Sequence, residues 1–115
     1  MNEVRHRELA AGRWWSLSLA QQLGNVGSEV SRAARWQTRN PEVARGALYR
    51  ALELLDLTLA DRRHQQSRER LREIARAREV VADFFAGDNQ YRSTGASIER
   101  YFDAFALAAR KPTVV

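Results

Sequence analysis

Hydrophobic residues recur every three or four positions through most of the chain, which is the spacing of an amphipathic helix. Polar turn residues separate these stretches, so the pattern predicts four helices, over residues 18–37, 41–60, 67–85 and 96–110. Because the connections are short, neighbouring helices should run antiparallel. We therefore predict an all-α fold, an up-down four-helix bundle, in a single domain over residues 1–115 with an N-terminal segment at 1–16 and an exposed tail at 112–115.

Two of the helix starts have strong local signals. Ser18 stands three residues before Gln21, which is the spacing of a capping box. Asn40 precedes Pro41, and an asparagine cap followed by proline at the first helical position is a favourable start. At the end of the third helix we expect Gly87 to adopt the left-handed conformation common at helix C-termini.

Small residues lie beside the apolar stripe of the first helix. Two glycines inside a helix cost about 1 kcal/mol each relative to alanine, so they indicate close approach of another helix or subunit, or else a locally weak helix. Two tryptophans precede this helix; tryptophan is enriched at interfaces, although a packed tryptophan is commoner than an exposed one. The candidate partner-binding residues are Trp14, Trp15, Gly24, Gly27 and Ser31.

Two carboxylates interrupt the leucine-rich second helix. Glu53 and Asp56 are three residues apart and therefore share a face. Paired carboxylates can act as general acid and base or hold a divalent metal, but they more often pair with arginines of a facing helix. We predict structural ion pairs, with the arginine partners drawn from Arg32, Arg35 and Arg78.

The basic residues of the chain are almost all arginine. The chain has 18 arginines and a single lysine, and its formal net charge is +5 at pH 7. Arginine binds phosphate bidentately, so this skew indicates an anionic partner such as nucleic acid, although a GC-rich genome produces the same skew. The chain has no cysteine, no apolar signal core and no apolar stretch long enough to span a bilayer, which favours a cytoplasmic location and no membrane partner.

The arginines are densest at the start of the third helix. A four-residue spacing puts Arg68, Arg72 and Arg76 on one face, where they could follow a phosphate backbone. Interleaved glutamates could instead neutralise part of this charge through pairs at helical spacing. The candidate nucleic-acid-binding residues are Arg62, Arg63, Arg68, Arg70, Arg72 and Arg76.

Signals for catalysis are weak. His6 and His64 lie far apart in the sequence, and neither has a serine or cysteine set beside it in a known catalytic arrangement. Histidine and cysteine spacings typical of metal sites are absent. A hydrolase with Glu53, Asp56 and Asp83 around a metal is a weaker hypothesis than either binding function considered below. We predict no enzyme activity, no cofactor and no metal.

Several blocks of the sequence resemble a family of short, uncharacterised bacterial proteins associated with diversity-generating retroelements. The blocks cover most of the chain beyond Trp14 and are residues 27–33, 52–61, 87–91 and 101–109. The chain is also similar in size, charge and expected architecture to the accessory variability determinants of those loci, small basic bundles that form a ring and assist a reverse transcriptase. The resemblance implies RNA and a reverse transcriptase as partners, and it assigns no site residues because no motif matches residue by residue.

The sequence thus favours a non-enzymatic basic helical bundle that binds RNA or a ribonucleoprotein such as a reverse transcriptase complex. The alternative is a protein-protein adaptor or antitoxin-like subunit whose basic charge is incidental. A protein partner and a homo-oligomer are both compatible with the sequence.

Overall fold

The computed structural model describes residues 11–110, and within that range the chain is all-helical. Residues 11–15 form the short helix α1. The remaining helices are α2 (Leu19–Trp36), α3 (Pro41–Leu59), the single turn α4 (Arg62–Gln65), α5 (Arg68–Ala86) and α6 (Gly95–Arg110). The four predicted helices correspond to α2, α3, α5 and α6. The predicted tail at residues 112–115 and the first ten residues of the N-terminal segment lie outside the described range.

Side-chain caps fix where the long helices begin. Ser18 and Gln21 form the predicted capping box, in which Ser18 Oγ accepts from the Gln21 amide at 3.1 Å and Gln21 Oε1 accepts from the Ser18 amide at 2.9 Å. Ser67 caps α5 by accepting from the Arg70 amide. Asn40 caps α3 ahead of Pro41, as predicted. Capping satisfies amide groups that have no partner inside the helix, so these boundaries were readable from local sequence.

The core forms where apolar faces of α2, α3, α5 and α6 meet. The predicted stripe of α2 is buried from Leu23 onward, and the other helices add leucine, alanine, valine, isoleucine and phenylalanine. The largest apolar side chains with no exposed surface are Leu23, Val26, Leu55, Ile74 and Val81. Such burial contributes about 1.5–3 kcal/mol for each large apolar side chain relative to an exposed one.

Helix α2 packs along both α3 and α6, while α5 packs along α3. Two glycines of α2 allow a close approach along the contact between α2 and α6, which we call the α2–α6 seam. A Cβ built on Gly27 would lie 2.5 Å from Phe102 Cβ, and one built on Gly24 would lie 3.1 Å from Ala106 Cα. The small-residue face of α2 is therefore covered by α6 of the same chain.

Helices α5 and α6 face one another across a groove. The loop over residues 87–94 joins them and is held by Asp83, whose carboxylate accepts from the Gln90 amide at 2.7 Å and from the Tyr91 amide at 3.0 Å. The left-handed residues of this loop are Asn89 and Arg92. Gly87 has extended backbone, so the predicted left-handed conformation at Gly87 is wrong. The reversal of the chain occurs two residues later, where Asn89 bonds to Ser93 in both directions.

Candidate nucleic-acid interface

Three predicted arginines form an exposed stripe along α5. Arg68, Arg72 and Arg76 are all exposed and form no ion pair with another described residue. Residues four apart lie one above the other on a helix, so the three guanidinium groups share one side of α5. We call Arg68, Arg72 and Arg76 the arginine stripe. Their positive charge is directed to solvent and is available to an anionic partner.

Arg70 lies on a different side of α5. Two residues of helix correspond to a rotation of about 200°, so Arg70 projects away from the arginine stripe. Burial is the main cause of the lowered pKa of His64 in α4, and the charges of Arg63 and Arg70 add to it. Arg70 is thus separate from the arginine stripe.

The arginine stripe borders a groove of about 500 Å³ between α5 and α6. This volume lies within the range of small-molecule pockets, about 300–1,000 Å³. Arg72, Glu73 and Arg76 form the polar edge, and the apolar part contains Ile98 and Phe102, which are 3% and 2% exposed. The remaining lining residues are Ala77, Val80, Ser93, Ser97 and Tyr101. We call this cavity the α5–α6 groove.

Tyr101 stands at the mouth of the α5–α6 groove with 39% of its surface exposed. Its ring makes edge-to-face contacts with Phe102 and Phe105, at centroid distances of 5.1 and 5.3 Å. Its hydroxyl donates to Glu73 Oε1 at 3.3 Å. Burial, followed by the negative charge of Glu73, raises the pKa of Tyr101 to about 12. The ring is therefore held rigidly and stays neutral at physiological pH.

A second tyrosine supports the arginine stripe from the loop. Tyr91 donates to Glu79 Oε2 at 2.9 Å, and the Arg76 guanidinium lies 5.7 Å from the centre of its ring, within cation–π range. The hydrogen bond to Glu79 raises the pKa of Tyr91. Glu73 and Glu79, two of the glutamates interleaved with these arginines, thus accept hydrogen bonds from tyrosines, and neither forms an ion pair with a described arginine.

Arg62 and Arg63 belong to α4, at the end of the molecule near α1. Arg63 is exposed but is tied to its own chain: its guanidinium donates to Asp61 Oδ2 at 2.7 Å and to the backbone carbonyl of Leu17. This contact raises the pKa of Arg63. Arg62 is exposed and has no ion pair within residues 11–110. The contribution of Arg63 to an anion-binding surface is therefore reduced by its contact with Asp61.

Asp61 anchors a buried polar cluster that the sequence reasoning missed. Gln22 Nε2 donates to Asp61 Oδ2 and to the Trp14 carbonyl, both at 3.0 Å, while His64 Nε2 lies 2.7 Å from Gln22 Oε1. Asp61 and His64 are each 2% exposed and Gln22 has no exposed surface. Hydrogen bonds from Arg63, the largest effect, hold the pKa of Asp61 well below its usual range. The cluster joins α1, α2 and α4.

His64 differs from a surface histidine in both charge and partners. Because Gln22 offers its carbonyl oxygen, His64 Nε2 carries the proton and donates. Its Nδ1 is buried without a hydrogen-bond partner. Burial lowers the pKa of His64, partly offset by the nearby Asp61 carboxylate. His64 is therefore neutral at pH 7 and belongs to the fold's interior.

The predicted partner-binding residues lie largely inside the protein. Trp14 is 8% exposed and donates from Nε1 to Thr58 Oγ1 at 3.0 Å, so it takes the packed position that the sequence left open beside interface use. Gly24 and Gly27 are covered by α6, and Ser31 donates to Glu99 of α6 at 3.0 Å. Trp15 is 39% exposed, with Nε1 donating to the Leu57 carbonyl. Of these two tryptophans, only Trp15 is accessible to a partner.

The predicted carboxylate pair divides between two environments. Asp56 accepts from Arg78 Nε at 2.6 Å, which joins α3 to α5 and raises the pKa of Arg78. Glu53 is exposed and forms no ion pair within the described range, and the same holds for Arg35. Arg32 lies 4.0 Å from Glu29 on its own helix.

No group of three or more His, Asp or Glu side chains among residues 11–110 is placed to hold a metal ion. Asp83, the third carboxylate of the hydrolase hypothesis, accepts from two backbone amides of the loop after α5. None of the helices described by the structure has the length and apolarity needed to cross a bilayer.

Comparison with known protein families, curated protein sequences and solved structures returns no match to this chain. We therefore infer function from the residues of the α5–α6 groove and the arginine stripe.

Proposed function

We propose that the protein binds RNA, alone or within a ribonucleoprotein, through the arginine stripe and the adjoining α5–α6 groove, and that it does so without catalysing a reaction. The observation that carries this proposal is the placement of three exposed arginines, none paired with a described residue, beside a groove with an apolar floor and a fixed tyrosine ring. Guanidinium groups bind phosphates, and aromatic rings stack unpaired bases.

The geometry suits a single strand better than a duplex. A-form RNA hides its base faces inside the helix, whereas an unpaired strand can place a base in the groove while its phosphates follow the arginines. Contacts of this kind give affinity with strong salt dependence. A reverse transcriptase as the ribonucleoprotein partner rests on the sequence resemblance alone, as does a ring-shaped homo-oligomer. We interpret α2, α3, α5 and α6 as an up-down bundle opened along its α5–α6 side.

The test compares two triple variants that lose the same charge. In one, Arg68, Arg72 and Arg76 become glutamine; in the matched control, the exposed Arg35, Arg39 and Arg45, which lie on other helices or loops and outside the groove lining, become glutamine. Binding of a labelled single-stranded RNA is measured by fluorescence anisotropy over a range of salt concentrations, with circular dichroism as the check on folding.

We expect the stripe variant to bind at least about tenfold more weakly and the control to remain within about threefold of the parent. Loss of three phosphate contacts should also reduce the slope of log K against log salt by about 2, since each contact on a single strand contributes about 0.7. Equal effects of the two variants on affinity and slope would contradict an RNA site at the stripe.

A protein-protein adaptor, or an antitoxin-like subunit, is the second candidate function. It is favoured by an apolar hollow of about 260 Å³ at the start of α3, where Val43 and Tyr49 nearby are 38% and 59% exposed. Apolar contacts persist at high salt, whereas phosphate contacts weaken. Size exclusion with light scattering and the 260/280 nm absorbance ratio of nuclease-untreated protein would distinguish the two: nucleic acid stripped by salt supports RNA binding, and a nucleic-acid-free protein complex stable in high salt supports the adaptor.

A further inference from the structure

The α5–α6 groove carries three kinds of recognition group on adjacent walls. The guanidinium groups of Arg72 and Arg76 supply positive charge, the side chains of Ile98 and Phe102 supply an apolar floor, and Glu73 supplies a carboxylate. A purely phosphate-binding surface would not need a carboxylate, which repels phosphate. Glu73 accepts from Tyr101, and its carboxylate also offers the groove a recognition group that the backbone of a bound strand would not use.

The position of Glu73 leaves it able to accept further hydrogen bonds. Tyr101 donates to Oε1 across 3.3 Å, and Oε2 has no hydrogen-bond partner among residues 11–110. An ionised carboxylate has about four lone-pair sites and accepts only, so it pairs best with two neighbouring N–H donors. Glu73 thus presents a planar acceptor at the edge of an apolar groove.

Of the four RNA bases, guanine alone offers two adjacent donors on its Watson–Crick edge, N1–H and the N2 amino group. Cytosine and adenine place a ring-nitrogen acceptor beside their amino group, and uracil flanks its N3–H with two carbonyl oxygens. An acceptor placed against a carboxylate is repelled. A carboxylate read-out therefore separates guanine from the other three bases.

We propose that the α5–α6 groove takes one unpaired guanine base of an RNA strand, with Glu73 accepting from its N1–H and N2 amino groups. This inference rests on the proposed RNA-binding function and names the base that the same site selects. The base packs against the floor and beside the rigid Tyr101 ring, and Arg72 and Arg76 hold the flanking phosphates. The two guanidinium groups outweigh the single carboxylate among the groove's charged side chains, so the strand is attracted while the base is selected.

The experiment uses the full chain and labelled hexamers of uridine in which the third residue is uridine, guanosine, inosine or adenosine. Inosine keeps N1–H and lacks the N2 amino group, so it tests the bidentate contact directly. A bidentate contact corresponds to about a tenfold difference in affinity, and we expect the guanosine hexamer to bind that much more tightly than the uridine hexamer. Inosine should be intermediate, and adenosine should match uridine.

Two variants distinguish recognition of the base by Glu73 from the effect of removing one negative charge from α5. In Glu73→Gln one carboxylate oxygen becomes an amide donor, so the preference for guanosine should fall to within about twofold while the uridine hexamer binds at least as well as before. Glu69→Gln removes the same charge one turn earlier on α5 at an exposed residue outside the groove lining, and it should keep the preference.

The outcomes distinguish this inference from the function on which it rests. If all hexamers bind equally and remain sensitive to the arginine stripe, RNA binding stands and guanine recognition is wrong. Absence of binding to every hexamer overturns both. A Glu69→Gln variant that loses the preference as fully as Glu73→Gln would also refute recognition by Glu73. If guanosine monophosphate competes as strongly as the guanosine hexamer, the ligand is a free nucleotide and the proposed strand is excluded.

Discussion

Gly27 of α2 lies directly beneath Phe102 of α6, with no room for a side chain between them. A Cβ at position 27 would approach Phe102 Cβ to 2.5 Å, a separation that requires one of the two helices to move. Phe102 is 2% exposed and lines the floor of the α5–α6 groove, so this contact links the packing of α2 to the shape of the candidate site.

We predict that Gly27→Ala destabilises the protein by about 1–3 kcal/mol, because overpacking a dense contact forces backbone shifts. Gly46→Ala is the matched control, since Gly46 lies inside α3 and its added Cβ would meet only the Arg50 guanidinium at 3.7 Å. Alanine there should stabilise the helix by about 0.5–1 kcal/mol. Urea denaturation followed by circular dichroism measures the free energy of unfolding of each variant. Equal changes in the same direction for Gly27→Ala and Gly46→Ala would contradict the close α2–α6 seam.

A second prediction concerns the buried polar cluster around Asp61. Asp61→Asn replaces one of the two accepting carboxylate oxygens by an NH2 group, which would face N–H donors of Arg63 or Gln22, so we expect a loss of about 2–3 kcal/mol. Asp103→Asn, at an exposed position of α6, should change stability by less than about 0.5 kcal/mol. Urea denaturation of the two variants measures the change in the free energy of unfolding at each position. A loss of similar size at the two positions would mean that the cluster is not stabilising.

The pH dependence of stability should report on His64. Burial lowers the pKa of His64, while Asp61 raises it and Arg63 and Arg70 lower it, with a net decrease from 6.5. Below about pH 6.5 the unfolded chain takes up a proton at this position and the folded protein does not, so stability falls as the pH falls. The contribution of one such group is at most about 1.4 kcal/mol per pH unit.

We therefore expect the free energy of unfolding to decrease between pH 6.5 and pH 5 in the parent and to decrease less in His64→Gln. Asp61 adds a further loss below its unfolded pKa of 3.8, because its folded pKa is depressed. Urea denaturation at half-unit pH steps gives the slope of the free energy of unfolding against pH for the parent and for His64→Gln. Identical slopes above pH 5 would show that His64 is accessible to protonation in the folded state.

Tyr101 provides a marker of the α5–α6 groove at high pH. Because burial and Glu73 raise its pKa to about 12, Tyr101 should ionise last in an absorbance titration at 295 nm, and Tyr101→Phe should lack that final step. The unfolded pKa is near 10, so its contribution to stability is complete below pH 10 and is lost as the pH rises through 12. A parent titration finished well below pH 12 would mean that the ring is not held against Glu73.

Local sequence was enough to predict the four long helices and their starts, but not the short helices α1 and α4. Ser18, Asn40 and Ser67 cap amide groups within three residues of themselves, so their effect depends little on the rest of the fold. The exposed positions of Arg68, Arg72 and Arg76 followed from helical periodicity for the same reason.

Features built from distant residues could not be read in this way. Gln22 and Asp61 are 39 residues apart, and each alone has the appearance of an ordinary polar surface residue. Trp14 contacts Thr58 across 44 positions, which is why its burial was not distinguishable from exposure at an interface. The α5–α6 groove depends on how the loop at 87–94 sets the separation of two helices, and that is fixed by Asp83 bonding seven and eight residues ahead.

The attachment of α6 has a consequence for motion. Since α6 packs along α2 and is otherwise tied to α5 by the loop at 87–94 and the Tyr101–Glu73 hydrogen bond, we expect the last described helix to separate more easily than α3 and α5 separate from each other. Amide hydrogens of α6 should then exchange through a partial opening of lower free energy than global unfolding. Because Gly24 and Gly27 tighten the α2–α6 seam, we expect them to limit how often the groove widens, although neither glycine lines it.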